Sequence, residues 1–227
     1  MNTTSSNQEQ VDKATRIFIV DDHPLVRESL KCLIQKESDF LICGEAGNRG
    51  QALAAIAASH PDLAIVDLTL NDTRGTDFIR DLLNQFPKLL VLVVSMQDEL
   101  VYAERAIRAG AHGYVTKQEA VAKILTAIRR VLSGDIYWSE KAAAKVASKF
   151  TRPLRSHPDQ MDFLTDREMQ VFEMIGAGQS TRQIGASLHI DTSTVETYRS
   201  RIKEKLKLKN GGELLQYAIR WSNDLRV

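Results

Sequence analysis

Three carboxylates, a hydroxyl and an ammonium stand at the ends of apolar runs in this sequence: Asp21 and Asp22 after RIFIV, Asp67 after LAIV, Ser95 after LLVLVV and Lys117 after GYVT. Adjacent aspartates repel one another, so such a pair favours a bound cation. Clustered carboxylates take hard divalent ions through oxygen, and Mg²⁺ uses one or two of them together with waters and a substrate phosphate. A further carboxylate beside the ion can attack a phosphoryl group and become an aspartyl phosphate, with metal and lysine neutralising the charge. Any one of these residues alone is an ordinary solvated strand end. All of them at the same end of successive strands describe a phospho-acceptor site.

For those ends to converge, the runs must be neighbouring strands of one parallel sheet. From Arg16 to about Gly134 the sequence alternates short β-branched or leucine-rich runs with longer helical stretches, the pattern of βα units. The strands are IFIVD, FLICGEA, LAIVDLT, LLVLVVS and GYVT, with helices near Leu25 to Glu37, Gly50 to Ser59, Thr76 to Phe86, Leu100 to Ala109 and Ala120 to Leu132. LLVLVVS is apolar on both faces, as a strand covered by helices on both sides should be. Ligands of open parallel sheets bind outside the carboxyl ends of the strands, where the aspartates lie.

After Met161 the strand pattern stops. Four helices are expected near Thr165 to Gly176, Thr181 to Leu188, Ser193 to Leu206 and Gly212 to Trp221, with GAGQS and HIDTS as breaks and capping-box spacing between Thr165 and Glu168. Between the two regions, YWSEKAAAKVASKF reads as a short helix and TRPLRSHPDQ as a linker. The expected organisation is a disordered tail over 1–15, an α/β domain over 16–134, a linker with a short helix over 135–160 and an all-α four-helix domain over 161–227.

Composition narrows the class further. A chain of 227 residues, 43% hydrophobic, buries a sizeable core, and a formal charge of +1 gives no general attraction to nucleic acid, so any such partner needs a local basic patch. Cys32 and Cys43 lack metal-ligand spacing and read as reduced core residues. No apolar run approaches the ~20 residues that span a bilayer, and MNTTSSNQEQVDKAT lacks an apolar signal core. A soluble, cytoplasmic protein is expected.

The blocks VDDHP, Asp67 at its strand end, VVSM around Ser95 and AGAHGYVTK up to Lys117 resemble, in order, the receiver domain of two-component response regulators. The resemblance implies a doubly wound, five-stranded, flavodoxin-like parallel sheet. It implies that Asp67 accepts phosphate from a sensor histidine kinase or a small phosphodonor such as acetyl phosphate. Asp21, Asp22, Asp67 and the backbone carbonyl of Thr69 would hold Mg²⁺, Ser95 and Lys117 would each engage a phosphoryl oxygen, and Tyr114 would be the aromatic switch that turns inward on activation. One departure is visible: the family usually has Met and Pro after the acceptor, whereas DLTLNDTRG has Leu70 and Asn71, with Gly75 retained. Without the φ-locked proline that loop is looser, which bears on phosphoryl lifetime.

At the other end, ETYRSRIKEKLKLK from Glu196 to Lys209 carries six basic residues against two acidic ones, with Val195, Ile202 and Leu206 at helical spacing. STRQIGASLHI followed by DTS makes this the second helix of a helix-turn-helix, the one that enters the major groove. LTDRE and STVETYRSRIKEKL are similar to the LuxR-type DNA-binding domain, and its pairing with a receiver is the arrangement of the NarL/FixJ class. By that resemblance Glu196, Thr197 and Ser200 reach base edges, while Arg199, Arg201, Lys203 and Lys205 meet phosphates. Many relatives have Lys and His where this chain has Glu196 and Tyr198, and a glutamate accepts from cytosine N4, so a different half-site is expected. In GGELLQYAIRW, Leu214, Leu215, Ala218 and Trp221 form a stripe for core packing, part of which is a dimer contact in related regulators.

The function these features imply is a phosphorylation switch: phosphate at Asp67 draws in Ser95 and Lys117, Tyr114 reorients, a receiver that covered the DNA-binding helix or its dimer surface releases it, and a homodimer binds two-fold related promoter DNA. Two alternatives compete. A phosphatase of the haloacid dehalogenase type needs an acidic residue two positions after the nucleophile, where this chain has Thr69, and a cap segment it lacks. A regulator that uses its receiver as a docking module, independent of phosphorylation, would not need the complete set of Asp21, Asp22, Asp67, Ser95 and Lys117.

Overall fold

The computed structural model describes residues 14–70, 75–151 and 160–224; the expected tail up to residue 13, Asn71 and residues 152–159 of the expected linker lie outside them. The chain divides into two compact units between Lys149 and Phe150.

In the first unit the apolar runs become β1 (Thr15–Val20), β2 (Phe40–Ala46), β3 (Leu63–Val66), β4 (Leu90–Ser95) and β5 (Gly113–Thr116), all parallel, in the order β2-β1-β3-β4-β5. Strand order reverses between β1 and β3, which places the ligand crevice of such a sheet at their carboxyl ends. Register fixes what meets there. Val20 pairs with Val66, and the Asp67 amide donates to Val20 O at 2.9 Å, so Asp21 and Asp67 leave the sheet side by side. Ser95 pairs with Thr116, and Lys117 N donates to Ser95 O at 2.8 Å, so those two leave as a second pair.

Helices α1 (Pro24–Ile34), α2 (Arg49–Ser59), α3 (Gly75–Gln85), α4 (Glu99–Arg108) and α5 (Ala120–Leu132) alternate with the strands. Because strand side chains alternate, Ile17, Ile19, Ile65 and Val94 face one layer, where Leu30 and Ile34 of α1 and Ile124 and Ile128 of α5 pack against them. Pro24 opens α1 at its first turn, and side-chain caps on Asn48 and Asp98 open α2 and α4. Neither cysteine joins the core as expected: both are free, Cys32 exposed on α1, two residues from each of the buried Leu30 and Ile34, and Cys43 half-buried on the edge strand β2.

The short helix read in the linker is α6 (Glu140–Thr151), and its first turns belong to the first unit. In the second unit a 3₁₀ turn (Gln160–Phe163) precedes α7 (Asp166–Gly176), α8 (Thr181–Leu188), α9 (Thr192–Lys205) and α10 (Gly211–Asp224). The Thr165/Glu168 capping box forms at α7, and Ser180 with Gln183 makes another at α8. Phe172 of α7 takes Tyr217 and Trp221 of α10 edge-on at 5.9 and 5.6 Å. At Gly176 the two helices come so close that a Cβ would lie 2.7 Å from Ala218 O. The α10 stripe therefore splits: Leu214 and Ala218 are buried and Trp221 packs on Phe172, while Leu215 is exposed, as is Ile219. Among the described residues no helix is long and apolar enough to cross a membrane.

Candidate functional site

At the β1 and β3 ends the ligand atoms of Asp21, Asp22, His23 and Asp67 all lie within 4.8 Å of one another. Lys117 arrives from β5 and places Nζ 2.7 Å from Asp21 Oδ2 and 2.7 Å from Asp67 Oδ2. Both carboxylates are almost completely buried. Burial pushes the Asp21 carboxyl above its usual range, against the pull of the Lys117 bond and with the help of the Asp67 charge. For Lys117, burial works against the ammonium, but Asp67 and Asp21 outweigh it and the group is held more basic than usual.

Three carboxylates face one ammonium, which leaves negative charge uncompensated. Asp22 Oδ1 is buried without a hydrogen-bond donor; His23 Nδ1 lies 2.6 Å from it but outside hydrogen-bond geometry. An orphaned oxygen beside two more carboxylates is what a hard cation would satisfy, so these residues fit Mg²⁺.

The acceptor candidate has partners of its own. Thr69 Oγ1 lies 2.9 Å from each oxygen of Asp67, and Thr69 N donates to Oδ1 at 3.1 Å. Ser95 is fully buried and its Oγ accepts from Gln97 N at 3.4 Å. Tyr114 was expected to turn inward on activation; here it is already inward and fully buried, with its hydroxyl donating to Gln97 O at 3.0 Å. That bond satisfies the one polar atom of the ring, which removes the main cost of burying it. Burial pushes the Tyr114 phenol well up, so it stays a neutral donor.

Two residues the sequence did not single out belong to this edge. His23 follows the aspartates directly; its backbone N–H donates to Asp21 Oδ1 at 2.8 Å and its ring is mostly exposed. Arg27 Nη1 donates to the carbonyl of Asp21 at 2.7 Å, with Nε 3.4 Å from Glu45, and so fixes the end of β1 from below. The adjacency of His23 was a visible signal. Nothing in the spacing marked Arg27, because its reach depends on how the turn into α1 folds back.

On α9, Val195 and Ile202 are buried, Glu196, Thr197, Ser200 and Arg201 are exposed, and Arg199 and Lys203 are half-buried. Glu196 Oε1 accepts from Thr181 Oγ1 at 2.8 Å, across from the first turn of α8, and lies 3.5 Å from Arg199 Nε. Lys205 also has a partner inside its own unit. Its Nζ bonds Glu168 Oε2 at 2.6 Å, because the capping-box glutamate is almost fully buried in α7 and needs a cation. Burial would raise the Glu168 carboxyl, but the Lys205 and Thr165 bonds hold it below its usual range.

Comparison with known proteins bears on both regions. Residues 17–129 match the response regulator receiver domain, and residues 162–218 match the bacterial regulatory proteins of the luxR family. The chain is 35% identical to the transcriptional activator protein ExaE of Pseudomonas putida, over 89% of this chain and 95% of that one. It is 32% identical to the response regulator GacA of Pseudomonas viridiflava, over 90% and 95%. Among solved structures, a LuxR-family two-component response regulator from Aurantimonas is 32% identical over 61% of this chain and 99% of its own, with a TM-score of 0.57. Salmonella RcsB bound to promoter DNA with a phosphomimetic shares the fold at 19% identity, covering 90% and 98%, with a TM-score of 0.61.

Proposed function

Because the chain belongs to the response regulators that join a receiver to a LuxR-type DNA-binding domain, and is thereby a transcriptional regulator of a two-component system, we propose that Asp67 is its phospho-acceptor and that phosphorylation controls DNA binding. The observation that carries this reading is Lys117 within 2.7 Å of Asp67 in a cluster that also holds Asp21 and Asp22.

An Asp67 oxygen attacks the phosphorus of a phosphohistidine on a sensor histidine kinase; the P–N bond breaks, and the imidazole nitrogen leaves with the electron pair and takes a proton. Asp21, Asp22, Asp67 and the carbonyl of Thr69 would hold Mg²⁺, which would supply charge neutralisation at the transferred group. Lys117 exchanges its bond to the carboxylate for one to a phosphoryl oxygen, and Ser95 donates to another. Thr69, two positions after the acceptor, has no acidic group to protonate a leaving alcohol, so turnover of external phosphate esters is not part of this reading.

In the second unit, α9 enters the major groove of promoter DNA. Glu196, Thr197 and Ser200 read base edges and Arg199, Arg201 and Lys203 meet phosphates. Lys205 joins the phosphate set: one of the three donors of its ammonium serves Glu168, and the partly exposed group has others left for a phosphate. Two copies of the chain bind a two-fold related site in the cytoplasm.

Acetyl phosphate with Mg²⁺ is the test. The unaltered chain should become phosphorylated and bind its selected DNA more tightly at fixed salt, and Asp67→Asn should do neither. Phosphorylation of Asp67→Asn, or an unchanged DNA affinity, would sink the proposal.

A further inference from the structure

Phosphoryl transfer to Asp67 needs no part of the His23 ring, yet that ring is aimed at the site. His23 is the N-cap residue of α1, and its side chain makes no cap bond to the helix it opens. Pro24 restricts the residue before it to extended backbone, which keeps His23 out of the helix. The imidazole turns back onto the carboxylates instead. Its Nδ1 lies 3.2 Å from Asp21 Oδ1 and 2.6 Å from Asp22 Oδ1, while its backbone N–H already serves Asp21 Oδ1 at 2.8 Å.

The Asp22 side chain is only 9% exposed, and its Oδ1 has no hydrogen-bond donor, the nearby Nδ1 included. A buried oxygen so close to a nitrogen, with no hydrogen bond between them, calls for a third atom. A neutral imidazole has one N–H and one lone pair. With the hydrogen on Nδ1 the ring donates to Asp21 and leaves Asp22 orphaned. With it on Nε2, in a ring that is mostly exposed, the Nδ1 lone pair faces two carboxylate oxygens, and a cation between them makes the arrangement favourable. Ligand atoms held at about 2.0–2.2 Å from one ion stand about 3 Å apart, and the two spacings of Nδ1 fall on either side of that value. The ligand atoms of Asp21, Asp22, His23 and Asp67 are all within 4.8 Å of one another.

Imidazole discriminates between ions: it suits Zn²⁺ and other first-row transition metals, whereas Mg²⁺ keeps to oxygen ligands and retains several waters. We propose that His23 gives this edge a second mode of metal binding, in which Asp21, Asp22, Asp67 and His23 Nδ1 together take Zn²⁺ and close the site to phosphate. This rests on the reading of Asp67 as the phospho-acceptor beside a cation. Four protein ligands complete a tetrahedral zinc site and leave no position for a phosphoryl oxygen, while six-coordinate Mg²⁺ held through oxygens keeps one. Whichever ion is bound then decides whether the receiver can be switched.

Full-length protein and its His23→Ala variant provide the test, and because the ring makes no cap bond the substitution leaves α1 intact. Zn²⁺ affinity is measured by competition with a chromophoric chelator and Mg²⁺ affinity by calorimetry. His23→Ala should lower the ratio of Zn²⁺ to Mg²⁺ affinity by at least about tenfold, the lower limit for groups that only orient a metal ligand. The chain has five histidines, and in nitrogen NMR of the imidazoles Zn²⁺ should move the Nδ1 resonance that His23→Ala lacks. With acetyl phosphate and saturating Mg²⁺, added Zn²⁺ should stop phosphorylation of the unaltered protein, and His23→Ala should need at least about tenfold more Zn²⁺ for the same effect. Equal losses of both ions in the variant, a His23 resonance that Zn²⁺ leaves in place, or undiminished phosphorylation of Zn²⁺-bound protein would overturn the zinc proposal and leave Asp67 as the acceptor. If Mg²⁺ alone supports no phosphorylation, the reading of Asp67 falls and the closed zinc form falls with it.

Discussion

Lys117 Nζ lies 2.7 Å from Asp67 Oδ2 and 2.7 Å from Asp21 Oδ2, so one ammonium serves two buried carboxylates that leave the sheet from adjacent strands. It is a stand-in for part of the charge a bound cation would supply, and that gives the site a measurable balance between lysine and metal. Lys117→Ala leaves both carboxylates buried and uncompensated. Breaking buried pairs of this kind costs about 3 kcal/mol. The variant should therefore melt lower than the unaltered protein in EDTA, and Mg²⁺ should raise its melting temperature by more than it raises that of the unaltered protein, because the ion now neutralises the whole cluster. An equal Mg²⁺ effect in both proteins would mean that Lys117 does not share the site's charge.

Arg27 tests whether the site depends on what lies beneath it. Its guanidinium holds the carbonyl of Asp21 at 2.7 Å without touching the cluster's ligand atoms. Groups that orient metal ligands in this way typically change affinity by about 10-fold or more when removed. Arg27→Ala should weaken Mg²⁺ binding by about that factor in calorimetric titration, and Arg27→Lys should recover part of it by supplying one donor. Unchanged affinity in the alanine variant would reduce Arg27 to a surface partner of Glu45.

Strand ends were legible because chemistry and periodicity agreed there. FLICGEA and GYVT became β2 and β5 at the expected bounds, and the register then delivered Asp21 to Asp67 and Ser95 to Lys117. What the sequence hid were contacts that depend on a chain reversal. The sequence YWSEKAAAKVASKF has the composition of a spacer, and nothing local says that Tyr137 will add to the edge of β5 or that Ser139 will find Glu99. Lys205 hid differently. Its bond could not be read from the basic run, because its partner is a buried glutamate on another helix. Cys32 was placed in the core for want of helix phase, since it lies two positions from each of the apolar residues that α1 buries, and Cys43 for want of knowing that β2 is an edge strand.

Glu168 makes a pH prediction with a definite sign. Its carboxyl is held below its usual range in the folded unit, so the unfolded chain binds the proton more readily. The stabilisation is thus fully present above the unfolded value near 4.5 and is lost as pH falls through the lower folded value. Followed by the emission of Trp221 in full-length Trp138→Phe protein, the second unit should lose stability as pH drops below that point. Glu168→Gln should flatten the dependence and cost about 1–2 kcal/mol at neutral pH, from the weakened cap and the unpaired Lys205. A variant with the same acid limb as the unaltered chain would exclude Glu168 as its source.

Thr181 and Glu196 bring the recognition helix to a sharper test. A glutamate in the major groove accepts from cytosine N4 only if its carboxylate is presented in one orientation; a freely rotating one mainly repels phosphate. In this chain Thr181 Oγ1 donates to Glu196 Oε1 at 2.8 Å and Arg199 Nε lies 3.5 Å from the same oxygen, so on the proposed reading of α9 Oε2 is the oxygen that would meet a base. Thr181→Val keeps the shape of the side chain and removes the donor. Phosphate contacts are untouched, so non-specific affinity and the slope of affinity against salt should stay as they are. Discrimination at one base pair of each half-site should fall by about 1 kcal/mol, the lower end of what a good base contact contributes. Glu196→Ala should remove that discrimination completely while raising non-specific affinity, since it deletes a negative charge facing DNA. Selection of binding sites from random duplexes with the three proteins, at two salt concentrations, separates the outcomes: an unchanged site for Thr181→Val would mean that the bond to Glu196 is not kept on DNA, and a salt slope that changed with it would place Thr181 on a phosphate instead.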